Sequence, residues 1–239
     1  MPATFEVAAA VFEQLPNLRI AVAVARGLDN RQVRPALAAE WHAAWQSAAA
    51  AAAPYGNAQS HPRVKPWRDA FQRMGISGKQ FPSSVEALLR RALKGSEPFA
   101  INPLVDCYNA VSLRQVVPAG AFDLVSIQDH LELRLSRAGD TFIALDESGA
   151  SEPLAVPPGE LSYASGARIL TRHLVWRQSR LGLVTPETRD VILVSEVLRE
   201  LGPDVPTAVC DEFERGLRQH FGVAARRWII DADQPVARW

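Results

Sequence analysis

Cysteine, glycine-rich motifs and long apolar runs are all scarce in this sequence of 239 residues. The two cysteines, Cys107 and Cys210, belong to no CxxC or Cys/His cluster, so the sequence predicts neither a disulfide framework nor a zinc site. No stretch approaches the roughly 20 apolar residues that span a bilayer. The N-terminus shows no basic segment followed by an apolar run, as a signal peptide would. We therefore expect a cytoplasmic protein without a membrane partner.

Several signatures of catalysis are also missing. The sequence contains no G-x-G-x-x-G, no phosphate loop, no G-x-S-x-G and no H-E-x-x-H. Its histidines do not fall at metal-ligand spacings; they are His42, His61, His130, His173 and His220. We expect no metal and no cofactor, and nothing in the sequence nominates a serine or cysteine nucleophile.

Charge is balanced over the whole chain but not along it. The formal net charge is zero, with 26 basic and 26 acidic residues, so a whole-molecule attraction to nucleic acid is not implied. Residues 61–95 hold eight basic side chains against two acidic ones. Such a block can face phosphates, although it also fits a pair of solvated helix faces.

Hydrophobic patterning predicts a mixture of helices and strands. Strands are expected at residues 4–8, 18–25, 131–135, 141–145, 168–177, 189–197 and 226–231. Helices are expected at residues 34–53, 67–74, 83–94 and 205–221, and within 96–113. Ser83, with Glu86 three residues on, has the spacing of a capping box. The order lacks regular βαβ alternation, which favours the α+β class, and no linker divides the chain, which favours a single domain over residues 1–239.

Small polar residues interrupt the apolar segment 98–123. Asn102, Asp106, Asn109 and Ser112 are spaced 4, 3 and 3 residues apart, which places them along one stripe of a helix. An asparagine amide both donates and accepts, so it can hold a carbonyl or an amine. The alternative is structural, with Asn102 as an N-cap and Asp106 capping a turn.

Three segments carry a family resemblance. They are NPLVDCYNAVSL, then PAGAFDL, then LELRLSRAGDTFIALDES. Together they resemble the B3/B4 tRNA-binding domain, which occurs in the β chain of phenylalanyl-tRNA synthetase and as free-standing proteins. The flanking segments WRDAFQRMG, FPSSVEALLRR and VWRQS…VTPETRDVILVSE are similar to the free-standing members. The resemblance covers about residues 60–200 and implies a three-layer fold, with a β-sandwich core and helices outside.

The resemblance also implies an activity, because the synthetase domain hydrolyses tyrosine wrongly esterified to the phenylalanine tRNA. It places one pocket residue on Asn109, next to Tyr108. The family's pocket histidine falls at Gly120 here. The family's pocket glutamate precedes the V-T-x-x-T segment, where this chain reads WRQSRLGLVT and offers Gln178 and Arg180 but no acid. We expect Trp176 and Arg177 to occupy that space.

The resulting hypothesis is an enzyme that binds the aminoacylated end of a tRNA and hydrolyses a mischarged ester. The predicted catalytic residues are Asn109, Ser112 and Gly120. The predicted substrate-binding residues are Asn102, Asp106, Tyr108, Phe122, Asp123, Trp176 and Arg177. The predicted tRNA-binding residues are Arg63, Lys65, Arg68, Arg90 and Arg91. The alternative is a non-catalytic module that holds tRNA or a free amino acid.

Overall fold

A computed structural model describes residues 4–128, 130–145 and 152–239. The helices of these residues are α1 (Ala9–Gln14), α2 (Pro35–Ala52), α3 (Lys65–Arg73), α4 (Ser84–Leu93), α5 (Pro103–Gln115) and α6 (Val205–Phe221). The strands are β1 (Thr4–Val7), β2 (Leu18–Ala25), β3 (Gly120–Asp123), β4 (Leu131–Leu135), β5 (Thr141–Phe142), β6 (Leu154–Ala155), β7 (Leu161–Ser165), β8 (Arg168–Arg172), β9 (Arg177–Gln178), β10 (Val191–Leu198), β11 (Ala225–Ile230) and β12 (Val236–Arg238).

The smaller sheet has the strand order β11-β2-β10-β3. Strands β2 and β10 pair antiparallel over their full length, from Leu18 opposite Leu198 to Ala25 opposite Val191. Successive side chains of a strand point to opposite faces. Val194 therefore faces one layer of the molecule, and its neighbour Leu193 faces the other.

The larger sheet runs in the order β12-β1-β4-β7-β8-β5-β6, with β9 paired to β8. Strand β1 pairs parallel to β4 and antiparallel to β12, so residues 4–7 and 236–238 lie side by side. The two sheets face each other across one apolar core, which includes Phe5, Leu133 and Tyr163 from the larger sheet and Ile192 and Val194 from the smaller one.

Helices cover the opposite face of the smaller sheet. Side chains of α5 and α6, such as Leu104 and Phe213, pack on Ala23 and Leu193 of that sheet. Helices α2 and α4 pack on α5 from outside, through a cluster around Trp41. This layering confirms the predicted α+β class with a β-sandwich core and flanking helices. No helix among the described residues is long and apolar enough to cross a membrane.

The sequence predicted most elements and the N-cap of α5, whereas the pairing of two strands and the presence of β7 differ from the prediction. Helix α5 starts at Pro103 because the Asn102 side chain accepts a hydrogen bond from the Val105 N–H and caps it. The predicted strands at 131–135 and 141–145 are not neighbours, since β4 pairs with β1 and β7 whereas β5 pairs with β6 and β8. Strand β7 was not predicted, and the end of the third motif, residues 146–148, lies outside the described residues.

Candidate functional site

A cavity of about 400 Å³ opens where the two sheets meet helices α4 and α5. Its wall draws on parts of the chain that are far apart in sequence. The lining includes Arg91, Ile101, Tyr108, Asn109, Gly120, Phe122, Leu145, Tyr163, Thr171, Trp176, Arg177, Gln178, Val194 and Glu196. The volume is in the range of small-molecule sites.

Exposure separates the mouth of this cavity from its floor. Ile101 is 59% exposed and Leu145 is 39% exposed, and both lie at the mouth. By contrast, Tyr163, Val194 and Glu196 are each at most 3% exposed and form the floor. The lining of the cavity therefore runs from exposed residues at the mouth to buried residues at the floor.

Asn109 presents a polar group to the cavity at intermediate depth. It lies on α5 and is 8% exposed. Among the described residues, no group forms a hydrogen bond with its side-chain amide, although a buried amide normally finds a partner. An amide that lines a cavity without a protein partner is available to a ligand. Its neighbour Tyr108 also lines the cavity, and burial raises the pKa of the Tyr108 hydroxyl.

Gly120 lies at the first position of β3, opposite Val194 of β10. A Cβ atom added at Gly120 would meet no heavy atom within 4 Å. The position where the resembling family has a histidine is therefore an open part of the cavity wall here.

Trp176 and Arg177 lie at the mouth, as their prediction as ligand-contacting residues requires. Trp176 packs edge-on against Phe81, with ring centroids 4.6 Å apart. The exposed Arg177 donates from Nη2 to the Leu145 carbonyl oxygen at 2.9 Å. Gln178 Nε2 donates to the Ala121 carbonyl oxygen at 2.8 Å, which ties β9 to β3 across the cavity wall.

Four predicted site residues lie outside the cavity and hold the backbone around it. Asn102 caps α5 and accepts from Asn30 Nδ2 at 2.9 Å. Ser112 Oγ donates to the Val117 carbonyl oxygen at 2.5 Å. Asp106 accepts from the Ile101 N–H, and burial raises the pKa of its carboxyl group.

The fourth of these residues, Asp123, accepts from Thr188 Oγ1 at 2.6 Å and from the Val125 N–H at 2.9 Å. Both bonds hold the turn that follows β3. Direct contact of Asn102, Asp106, Ser112 or Asp123 with a ligand stays a prediction.

Four of the five predicted tRNA-binding residues are engaged by protein groups. Arg68 and Arg90 both bind Glu86 Oε1, at 2.5 and 2.7 Å. Lys65 pairs with Asp69 at 2.5 Å, and Arg63 Nη1 donates to the Gln115 carbonyl oxygen at 2.6 Å.

Arg91 differs from these four residues. Its guanidinium lies 5.0 Å from the centroid of the Phe99 ring, it makes no ion pair with the described residues, and it lines the cavity mouth. Together with Arg177, it places two exposed cationic groups at the mouth.

The cavity floor holds a carboxylate that the sequence reading missed. Glu196 lies on β10, between Val194 and Leu198 on the face that packs into the core between the sheets. The Tyr163 hydroxyl donates a hydrogen bond to Glu196 Oε1, with 2.5 Å between the two oxygens. Burial raises the pKa of the Glu196 carboxyl group to about 7. An acid at a core-facing position of an otherwise apolar strand was the available signal.

Two packed sheets, helices on one side and a partly polar cavity at their junction define the class of this protein as an α+β sandwich with an internal cavity. Within that class, the family model described as the B3/4 domain matches residues 66–231, and the chain belongs to that family.

The chain is also similar to parts of two named proteins. Over 120 residues, the chain is 29% identical to the phenylalanine–tRNA ligase beta subunit of Chromobacterium violaceum. The matched segment covers 50% of this chain and 15% of that subunit. A crystal structure of an N-terminal fragment of the phenylalanyl-tRNA synthetase beta subunit from Pyrococcus horikoshii aligns with 93% of this chain and 50% of its own. The TM-score is 0.47 and the sequence identity is 12%.

Proposed function

We propose that this protein binds the aminoacylated end of a tRNA and hydrolyses the ester of a mischarged species. The observation that carries the proposal is the side-chain amide of Asn109, which faces the cavity without a protein partner, below a mouth that bears Arg91 and Arg177. The synthetase relationship of the family supports tRNA as the partner.

The cavity and the tRNA end together can supply the groups that ester hydrolysis needs. Hydrolysis of an aminoacyl ester needs a positioned water molecule and donors for the developing oxyanion. The amide of Asn109 can donate to the ester oxygen or accept from the amino group. The terminal ribose of the tRNA supplies its own hydroxyl, which can orient the water. The open wall at Gly120 leaves room for the acyl group.

The test is deacylation of a panel of correctly and incorrectly charged tRNAs. Removing one oxyanion donor typically lowers kcat by about 10²–10³-fold, and we expect a loss of that order for Asn109→Ala. Asn17→Ala is the matched control, because Asn17 is exposed and does not line the cavity. Equal turnover by wild type and Asn109→Ala on every hydrolysed tRNA would refute the role of Asn109.

Phosphate contact is assigned to the mouth arginines in this proposal. Arg91→Gln and Arg177→Gln should each weaken tRNA binding and lower the slope of log Kd against log salt by about 1. Lys65→Gln is the comparison, because Lys65 already pairs with Asp69. A loss for Lys65→Gln as large as the loss for the arginine variants would show that phosphate contact is not confined to the cavity mouth.

One observation favours a non-catalytic tRNA-binding module instead. Among the described residues, no histidine or cysteine lines the cavity, and its one carboxylate, Glu196, lies at the floor. Binding of tRNA with the expected salt dependence, together with the absence of hydrolysis across the whole panel, would select this second function.

A further inference from the structure

Glu196 is out of place as a packing residue. The side chains that precede and follow it on the same face of β10, Val194 and Leu198, belong to the core between the sheets. Its neighbour Tyr163 packs against Phe5 and Phe122, with ring centroids 5.7 and 5.2 Å apart. A carboxylate in such apolar surroundings destabilises a fold unless something compensates its charge.

Among the described residues, Tyr163 is the one side chain that donates a hydrogen bond to this carboxylate, the backbone N–H of Glu196 adds a second, and no cationic side chain pairs with it. None of the ion pairs among the described residues includes Glu196, and no cationic side chain contributes to the perturbation of its pKa. A charge partner for a buried, ionised Glu196 is thus missing from the part of the chain that the structure describes, while the carboxylate borders a cavity.

The shape of the cavity decides which part of a ligand meets Glu196. If the ribose and phosphate of a tRNA end stay at the mouth near Arg91 and Arg177, the ester and the α-amino group can lie beside Asn109. The side chain of the amino acid is then the part that extends to the floor.

We propose that the pocket is built for an amino acid with a cationic side chain, whose ammonium or guanidinium group pairs with Glu196. This inference rests on the proposed function and names its substrate class. The side chain's positive charge supplies the partner that the floor lacks, and the Tyr163 hydroxyl holds the carboxylate in place. Purely hydrocarbon side chains of the same length leave Glu196 buried and uncompensated, so they are disfavoured.

The test uses 3′-amide analogues of aminoacyl-adenosine, which cannot be hydrolysed, and compares lysine with norleucine. Norleucine has the same four-carbon side chain as lysine and lacks only the terminal ammonium group. We expect the lysine analogue to bind wild type at least about tenfold more tightly. In Glu196→Gln, which keeps an acceptor for Tyr163, that ratio should fall close to one. Glu13→Gln is the control, because Glu13 is exposed and lies outside the cavity.

Two results would overturn the inference. One is a norleucine analogue that binds wild type as tightly as the lysine analogue, a comparison that needs no variant. The other is an equal loss for both analogues in Glu196→Gln, which would assign the carboxylate to the α-ammonium group. Because the analogues are not cleaved, this outcome is independent of the deacylation panel. A panel without hydrolysis refutes the editing function, while the lysine-to-norleucine ratio alone decides the specificity.

Discussion

The buried carboxylate should leave a clear signature in the pH dependence of stability. The perturbation is Glu196→Gln, which removes the titratable group while preserving its size and an oxygen acceptor for the Tyr163 hydroxyl. Folding raises the pKa of Glu196 from an ordinary value of 4.5 to about 7. Below pH 4.5 the group is protonated in both the folded and the unfolded state, so it has no effect on their balance.

Between these two pKa values the unfolded chain releases a proton that the folded protein retains. The free energy of unfolding therefore decreases as pH rises from 4.5, and the decrease is complete above about pH 7. Each tenfold change in proton concentration across this window corresponds to about 1.4 kcal/mol, so the full loss is about 3 kcal/mol.

Urea unfolding of wild type and Glu196→Gln at pH 5 and pH 8 measures this loss. Between pH 5 and pH 8 the stability of wild type relative to the variant should fall by about 2.5 kcal/mol, because part of the full loss already lies below pH 5. The lowered pKa values of His61 and His173 also affect this range, but both histidines are present in both proteins and cancel in the difference. Parallel stability curves for the two proteins would show that Glu196 is not buried as an uncompensated acid.

Three further substitutions test the packing around the site. A Cβ atom at Gly216 of α6 would lie 2.6 Å from Cys107 Sγ, so Gly216→Ala should cost about 1–3 kcal/mol in urea unfolding, and adding Cys107→Ala should restore most of it. Arg134 and Asp140 form a buried ion pair at 2.6 Å, and Asp140→Asn should cost about 3–5 kcal/mol, whereas no loss would mean that the pair is solvated. Asn30→Ala removes the three hydrogen bonds by which the buried Asn30 side chain joins the start of α5 to Thr185. We expect a loss of about 2 kcal/mol in the free energy of unfolding and a lower thermal midpoint, and an unchanged midpoint would contradict that role.

Elements defined by local chemistry could be predicted from the sequence. Strand β2 and helix α6 have the bounds that periodicity indicated. Ser83 caps α4 by accepting from the Glu86 N–H, as the capping-box spacing predicted. The short strands β6 and β12 and the serine-containing β7 carry little periodic signal, because their pairing partners rather than their own residues make them strands.

The candidate site was predicted only in part for the same reason. Asn109, Gly120, Trp176 and Arg177 were placed by motif resemblance, and the structure brings all four to one cavity. Both faces of β10 are buried, so the place of Glu196 in the core between the sheets could be recognised only from the packing of the two sheets. Arg68 was predicted to contact tRNA from the local excess of basic residues. Its ion pair with Glu86, 18 residues away, could not be seen from such a charge count.

The central position of β2 in the smaller sheet has a consequence for how the chain folds. Residues 18–25 pair with residues 191–198 on one side and with 225–230 on the other. During synthesis, about 170 further residues must therefore be made after β2 before its first pairing partner, β10, is available. Contacts of such sequence separation slow the folding transition. A shortened chain limited to residues 66–231 would lack β2 and would leave one edge of β10 unpaired. The strand that carries Glu196 would then be prone to aggregation through that edge.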